Sequence, residues 1–245
     1  IRCILTARLG CSYDPNRLFG AGMISPFDIE MAIAEVRRCV QDLGLKGLFI
    51  RPNIVNGRNW HDRYYDPLWA EIERQGVPLG FHEGTHVPIA ETGDRFDDGY
   101  WMFHTCAHPM EQMLAAVSLI GGGVLERFPT LKVAFLEANC AWVPWLLWRL
   151  DEHFELAGKL ENPDLTMKPG EYFRRQCFAS IEADEIPAQI IEQYDLIDNV
   201  VFSTDYPHHD AKYPHSSEEF LKLPLSEMTK TKILWDNCAR LYNLS

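Results

Sequence analysis

The chain has 245 residues, a length that suits one large domain over 1–245, since α/β barrels reach this size as single units. Hydrophobic residues make up 47% and charged residues 24%, a globular balance, and the formal net charge of -12 argues against nucleic acid or an anionic membrane surface as a partner. The cysteine count is odd and contains no CxxC pair, so no disulfide framework is expected and a reducing, cytoplasmic setting is the better fit, while the most apolar stretch, around 141–147, is far too short to span a bilayer.

Residues 4–7 read as a short strand. No crossover helix fits between it and the next strand, so either it is not a barrel strand or residues are missing there. A strand follows over 18–24. Ser25 is read as the N-cap of the first helix, with Pro26 at its first position. Met31, Val36, Val40 and Leu43 give that helix its apolar face, and Gly44 stops it. Residues 45–51 form an apolar run suited to burial on both faces. Asp66 and Pro67 open a helix that ends near Gly76, and 78–82 is the next strand. The connection 84–104 is long and irregular, which marks a candidate active-site loop. Pro109 is read as the start of a helix that breaks at 121–123. A strand over 132–136 leads to a Trp-rich helix from Val143, where the spacing of Trp142, Trp145 and Trp148 is assigned to helix packing. A strand over 177–181, a helix over 186–194, a last strand over 199–203 and a terminal helix capped by Ser226 complete the pattern. Strands alternating with helices predict βα units and a parallel sheet.

In parallel α/β folds, reactive side chains lie just past the carboxyl ends of strands. Arg51, His82 with Glu83, Glu137, Glu182, and Asp205 with His208 and His209 all occupy such places. His104 and His108 fall on the same side, ahead of Pro109. Histidines and carboxylates without paired thiols suit zinc, iron or manganese. Such an ion polarises a carbonyl or makes hydroxide from water near neutral pH. Several of these residues have an ordinary reading beside the chemical one. Arg51 either clamps a substrate carboxylate or pairs with a neighbouring acid. Glu137 follows an apolar strand and serves either a metal or a salt bridge. Glu182 reads as structural and His209 as a solvated loop residue.

Four segments resemble a known family: Gly80-Phe81-His82-Glu83-Gly84, His108-Pro109-Met110-Glu111-Gln112, the run from Leu125 through Phe128-Pro129 and Lys132 into Phe135-Leu136-Glu137, and Phe202-Ser203-Thr204-Asp205-Tyr206-Pro207-His208. Together they resemble the amidohydrolase-2 branch of the amidohydrolase superfamily, metal-dependent enzymes like aminocarboxymuconate semialdehyde decarboxylase. The likeness implies a distorted (β/α)8 TIM barrel holding a metal, with His82 and Asp205 at ligand positions. The sequence departs from the family twice. No His-x-His pair precedes His82, and the strand-6 histidine position reads Glu137-Ala138-Asn139. The barrel is therefore expected to lack its N-terminal strand or strands in this sequence, with a His-x-His or acid-x-His strand preceding it in the complete protein.

The resulting expectation is a metal-dependent hydrolase or decarboxylase-like lyase acting on a small carboxylated or carbonyl-bearing molecule. Asp205, Glu137 and His108 are the catalytic candidates, Arg51 and His208 the substrate contacts, and His82, Asp205, Glu137 and His104 the metal ligands. The cofactor is a divalent ion, with zinc first and iron or manganese as alternatives, in a mononuclear or dinuclear site. A homo-oligomer is expected, or a hetero-oligomer with a related subunit. Two other readings remain open: a dinuclear iron or manganese enzyme of oxygen chemistry, and a degenerate partner subunit without catalysis.

Overall fold

Six short strands run parallel, each pairing with the next in chain order. They are β1 (Ala21–Met23), β2 (Gly47–Ile50), β3 (Leu79–His82), β4 (Val133–Leu136), β5 (Cys177–Ile181) and β6 (Val200–Phe202). This is a computed structural model, and it describes residues 11–84, 89–96 and 98–244. The strand expected over 4–7 lies outside the described residues. The principal helices are α1 (Ile29–Arg37), α2 (Asp66–Gln75), α3 (Tyr100–Gly121), α4 (Trp142–His153), α5 (Pro169–Gln176), α6 (Ser216–Leu221), α7 (Glu227–Thr231) and α8 (Asn237–Tyr242). Strand order that follows chain order, with helices in the crossovers, is the arrangement of an α/β barrel wall. Among the described residues, β6 does not pair back to β1.

The two faces of this wall pack differently. Leu48, Ile50, Leu79, Phe81, Val133, Phe135, Ala179 and Ile181 join the large core beneath the helices. The alternate positions Ala134, Phe178 and Val201 form a smaller inner cluster with Leu241 of α8, so the last helix covers part of the inner face. Strand side chains alternate between faces, so these two sets follow from the pleat.

Several helix boundaries follow the sequence and some do not. Gly76 ends α2 at φ 68°, the left-handed cap position that suits glycine. The Ser226 hydroxyl accepts the Thr229 N–H at the start of α7. The first helix instead starts at Ile29, because the Asp28 carboxylate accepts the Met31 N–H at 2.9 Å. Ser25 and Pro26 therefore lie ahead of it. The strand expected over 18–24 is confined to Ala21–Met23. The segment 186–194 forms a 3-10 turn, Ile186–Gln189, followed by one α turn, Ile190–Gln193.

The largest correction concerns Pro109. It does not open a helix but sits inside α3, which starts at Tyr100. Proline removes one N–H, a loss offset here by the buried contacts of Ala107, His108, Glu111 and Gln112 around it. Much of the connection expected to be irregular is accordingly structured, with a 3-10 turn at Thr92–Phe96 ahead of α3. A second correction concerns the tryptophans of α4. Trp142 is buried, whereas Trp145 and Trp148 are each 53% exposed, so helix packing accounts only for the first.

Candidate metal centre

The carboxyl ends of β3, β4 and β6 bring His82, Glu137 and the Asp205–His208 turn to one mouth. His82 Nε2 lies 3.1 Å from Glu137 Oε2, and His108 Nε2 lies 3.5 Å from the same oxygen. The other oxygen, Glu137 Oε1, is 3.2 Å from His208 Nδ1, which in turn is 3.3 Å from Asp205 Oδ2. The carboxylate thus offers one oxygen to each of two imidazole sets. His82, His108, Glu137 and His208 border a cavity of about 320 Å³ that also reaches Glu83, His104 and His209, while Asp205 lines a smaller one beside Glu182 and Asp210. A separate apolar cavity lies on the inner face, against Gly47, Phe49, Leu136 and Tyr242, and shares only His82 with this site.

Helix α3 explains how two histidines arrive together. Four residues apart on one helix, His104 and His108 share a face, with ring centroids 4.4 Å apart. It is His108, buried, that reaches Glu137, while His104 lines the same cavity in tilted ring contact with His108 and with Tyr100 at 5.3 Å. Gln112, one turn further, fixes α3 to the strands. Its Nε2 donates to the carbonyls of Phe81 at 2.8 Å and Leu136 at 3.0 Å, the residues just before His82 and Glu137. After Glu137 the chain turns toward α4, and the amides just ahead of that helix are taken by a distant acid. Glu185 accepts from the N–H of Cys140 at 2.9 Å and of Ala141 at 2.8 Å.

The electrostatics set the two carboxylates apart. Burial pushes the Glu137 carboxyl up, but the His108 hydrogen bond and the charges of His82, His108 and His208 hold it below the ordinary value. Asp205 is raised, by burial first and then by the Glu137 charge. Burial, helped by the neighbouring His108, lowers His104.

The donor set fits a divalent cation. His82 Nδ1 lies 2.7 Å from the Glu83 carbonyl oxygen, which only accepts, so Nδ1 carries the hydrogen. In the neutral ring, Nε2 then aims a lone pair at Glu137 Oε2. Two lone-pair atoms so placed repel unless a proton or a cation lies between them. Donor atoms of Glu137, Asp205 and His208 also lie within 4.8 Å of one another, the spacing of ligands around one ion.

Arg51 is held by acids in its own neighbourhood, the ion pair of its two possible roles. Its Nη2 pairs with Glu83 and, at 2.6 Å, with Glu91 Oε1, and its Nε donates to Asn53 at 2.9 Å. Glu182 is raised by burial and by the nearby acids Glu185 and Asp205, and His209 is 85% exposed in its side chain. Sequence reasoning gave no role to Glu91 or Ser180, placed Gln112 only within a family-like segment, and gave His208 to the substrate, whereas here His208 stands among the ligand-type atoms.

Glu83 yields a pH prediction. Burial pushes its carboxyl up to about 7 from 4.5, against the pull of the Gly84 N–H and Arg51. A folded-state value above the unfolded one stabilises below the unfolded value and is lost as pH rises through the folded one. Wild-type stability is therefore expected to fall between about pH 4.5 and 7 relative to Glu83→Gln, by at most about 1.4 kcal/mol per pH unit. Urea unfolding of both proteins across that range checks it, and a constant difference at every pH would refute the assignment.

Comparison with known proteins places the chain in a family and a fold. The family model described as Amidohydrolase matches residues 6–244. The chain is 30% identical over 234 residues to 2-amino-3-carboxymuconate-6-semialdehyde decarboxylase of Dictyostelium discoideum, covering 95% of this chain and 63% of that protein's length. It superposes on the crystal structure of 5-carboxyvanillate decarboxylase from Sphingomonas paucimobilis with a TM-score of 0.82 at 27% identity, covering 99% of this chain and 71% of that one. It also shares its fold with the dihydroxybenzoic acid decarboxylase of Polaromonas sp. JS666, solved with bound manganese, at a TM-score of 0.79 and 23% identity, covering 99% of this chain and 74% of that one. By the extent of the family match, the chain belongs to the amidohydrolase family.

Proposed function

We propose that the protein is a divalent-metal-dependent lyase that removes the carboxylate of an aromatic or conjugated acid as CO2. The observation that carries this reading is the gathering of Glu137, Asp205 and His208 donor atoms within 4.8 Å, with His82 on the same Glu137 carboxylate. The named relatives support loss of CO2 over hydrolysis, since each acts on a carboxylated aromatic or conjugated molecule by its name.

In this reading Glu137, Asp205 and His208 would hold the ion, with His82 adjoining them on the other oxygen of the Glu137 carboxylate. A divalent cation held there would supply Lewis acidity toward a substrate oxygen. The carbon–carboxylate bond breaks, CO2 leaves, and a proton takes its place on the carbon. His108 handles that proton at Nε2, the ring atom that faces the site. His104 lies in ring contact with His108, and Arg51 with its two acids shapes the wall beside His82. The donor set suits zinc, and manganese is the ion held by the Polaromonas fold neighbour.

The test uses the protein loaded with Mn(II) or Zn(II) and offered 2,6-dihydroxybenzoate, 5-carboxyvanillate and aminocarboxymuconate semialdehyde. Metal-dependent CO2 release, abolished by a chelator and restored by the ion, is the expected result. Stoichiometric metal binding with no CO2 from any of the three would overturn the reading. Elemental analysis is expected to give one equivalent per chain; two would favour an ion on each oxygen of Glu137.

A further inference from the structure

Glu137 and Asp205 share an uncommon backbone conformation, with φ of 56° and 55°. Aspartate visits this left-handed region with some ease, because its short side chain bonds locally, whereas glutamate does not. Each amide is taken by a serine. The Asp205 N–H donates to Ser203 Oγ at 3.2 Å, a turn closed within two residues. The Glu137 N–H donates to Ser180 Oγ at 2.9 Å, across 43 residues of chain.

Ser180 lies in β5, where every residue is buried, and is itself 2% exposed. In the segment Cys-Phe-Ala-Ser-Ile it is the one hydroxyl. The β4–β5 register ends at Phe135 opposite Ala179, whereas β3–β4 continues to His82 opposite Leu136. Glu137 has therefore left the backbone ladder on the β5 side. A part-buried amide that leaves its ladder needs another acceptor, and Ser180 Oγ is that acceptor.

We infer that Ser180 is a positioning residue for the metal centre. It pins the Glu137 amide, which holds the left-handed turn and aims the two carboxylate oxygens at opposite imidazole sets. Its hydrogen bond is to the Glu137 backbone, so it acts through Glu137 and not on substrate. This inference rests on the metal-dependent reading above.

The experiment measures Mn(II) binding by the electron paramagnetic resonance of free ion, alongside the unfolding midpoint, for wild type, Ser180→Ala, Ser180→Thr and Ser180→Cys. Partners that orient a ligand typically govern about 10–100-fold in metal affinity. Ser180→Ala is expected to weaken Mn(II) binding about tenfold or more while remaining folded. Ser180→Thr, which keeps the oxygen, is expected to recover most of the loss, and a packing role alone would not produce that recovery. If the Ala protein does not fold, the Cys variant, with a far weaker acceptor of similar shape, is expected to show the loss. Wild-type affinity in a folded Ala or Cys variant overturns the role of Ser180 and leaves the metal centre intact. Absence of Mn(II) and Zn(II) binding in the wild type overturns the metal centre and this inference with it.

Discussion

Glu137→Gln is expected to weaken metal binding on the order of 100-fold or more and to abolish turnover, with folding retained. The substitution keeps the volume of the side chain and removes its charge. That charge is the hub of the site, because Oε2 faces His82 and His108 while Oε1 faces His208. A neutral amide would turn either an NH2 group or a weaker oxygen toward one imidazole set. It would also leave Asp205 as the one carboxylate of the three-residue donor group. The check is isothermal titration with Mn(II) and Zn(II), paired with urea unfolding of the metal-free proteins. Near-wild-type affinity would make Glu137 a plain salt-bridge partner and remove the centre of the assignment.

Phe135→Ala is expected to cost about 3–5 kcal/mol of folding stability. The ring is fully buried on β4. It stacks between Phe81 at 5.9 Å and Phe173 at 6.1 Å, and Trp142 meets it edge-on at 5.9 Å. Neighbours from β3, α4 and α5 close on it from three sides, so little of the space left by the ring can collapse. Domains commonly hold about 5–15 kcal/mol in all, and the loss would consume a large share. The urea midpoint should fall accordingly with an unchanged slope. A shift below about 1 kcal/mol would mean that the stack relaxes into the gap.

Strands β2 to β6 were legible because both faces of this part of the wall are largely buried, whereas β1 is exposed on one face and was read too long. Runs such as Leu-Gly-Phe-His and Val-Ala-Phe-Leu leave few other readings once glycines and prolines bracket them. Strand ends were legible for the same reason, since a polar residue after such a run marks where the core stops. His82, Glu137 and Asp205 were found in this way. Helix starts were harder. Ser25-Pro26 and Asp28 are both good openings, and only the packing of Ala32, Ile33 and Val36 selects the later one. Pro109 misled because proline at a first turn is common, whereas proline inside a helix survives only where tertiary contacts outweigh the lost bond. Ser180 left a trace, a lone hydroxyl in a buried strand, but its partner is set by register and not by spacing. Arg51 could not be settled from sequence, since Glu91 reaches it only through the path of the connection after β3.

Gln112 also governs how the site comes apart. One amide group ties α3 to the ends of β3 and β4, the three elements that carry His108, His82 and Glu137. These donors are therefore expected to move together. The entropy of bringing them together is lost when the chain folds and not again when a ligand arrives. Heat or denaturant that frees α3 would scatter all three at once, so the centre should disappear in a single transition with the fold around it.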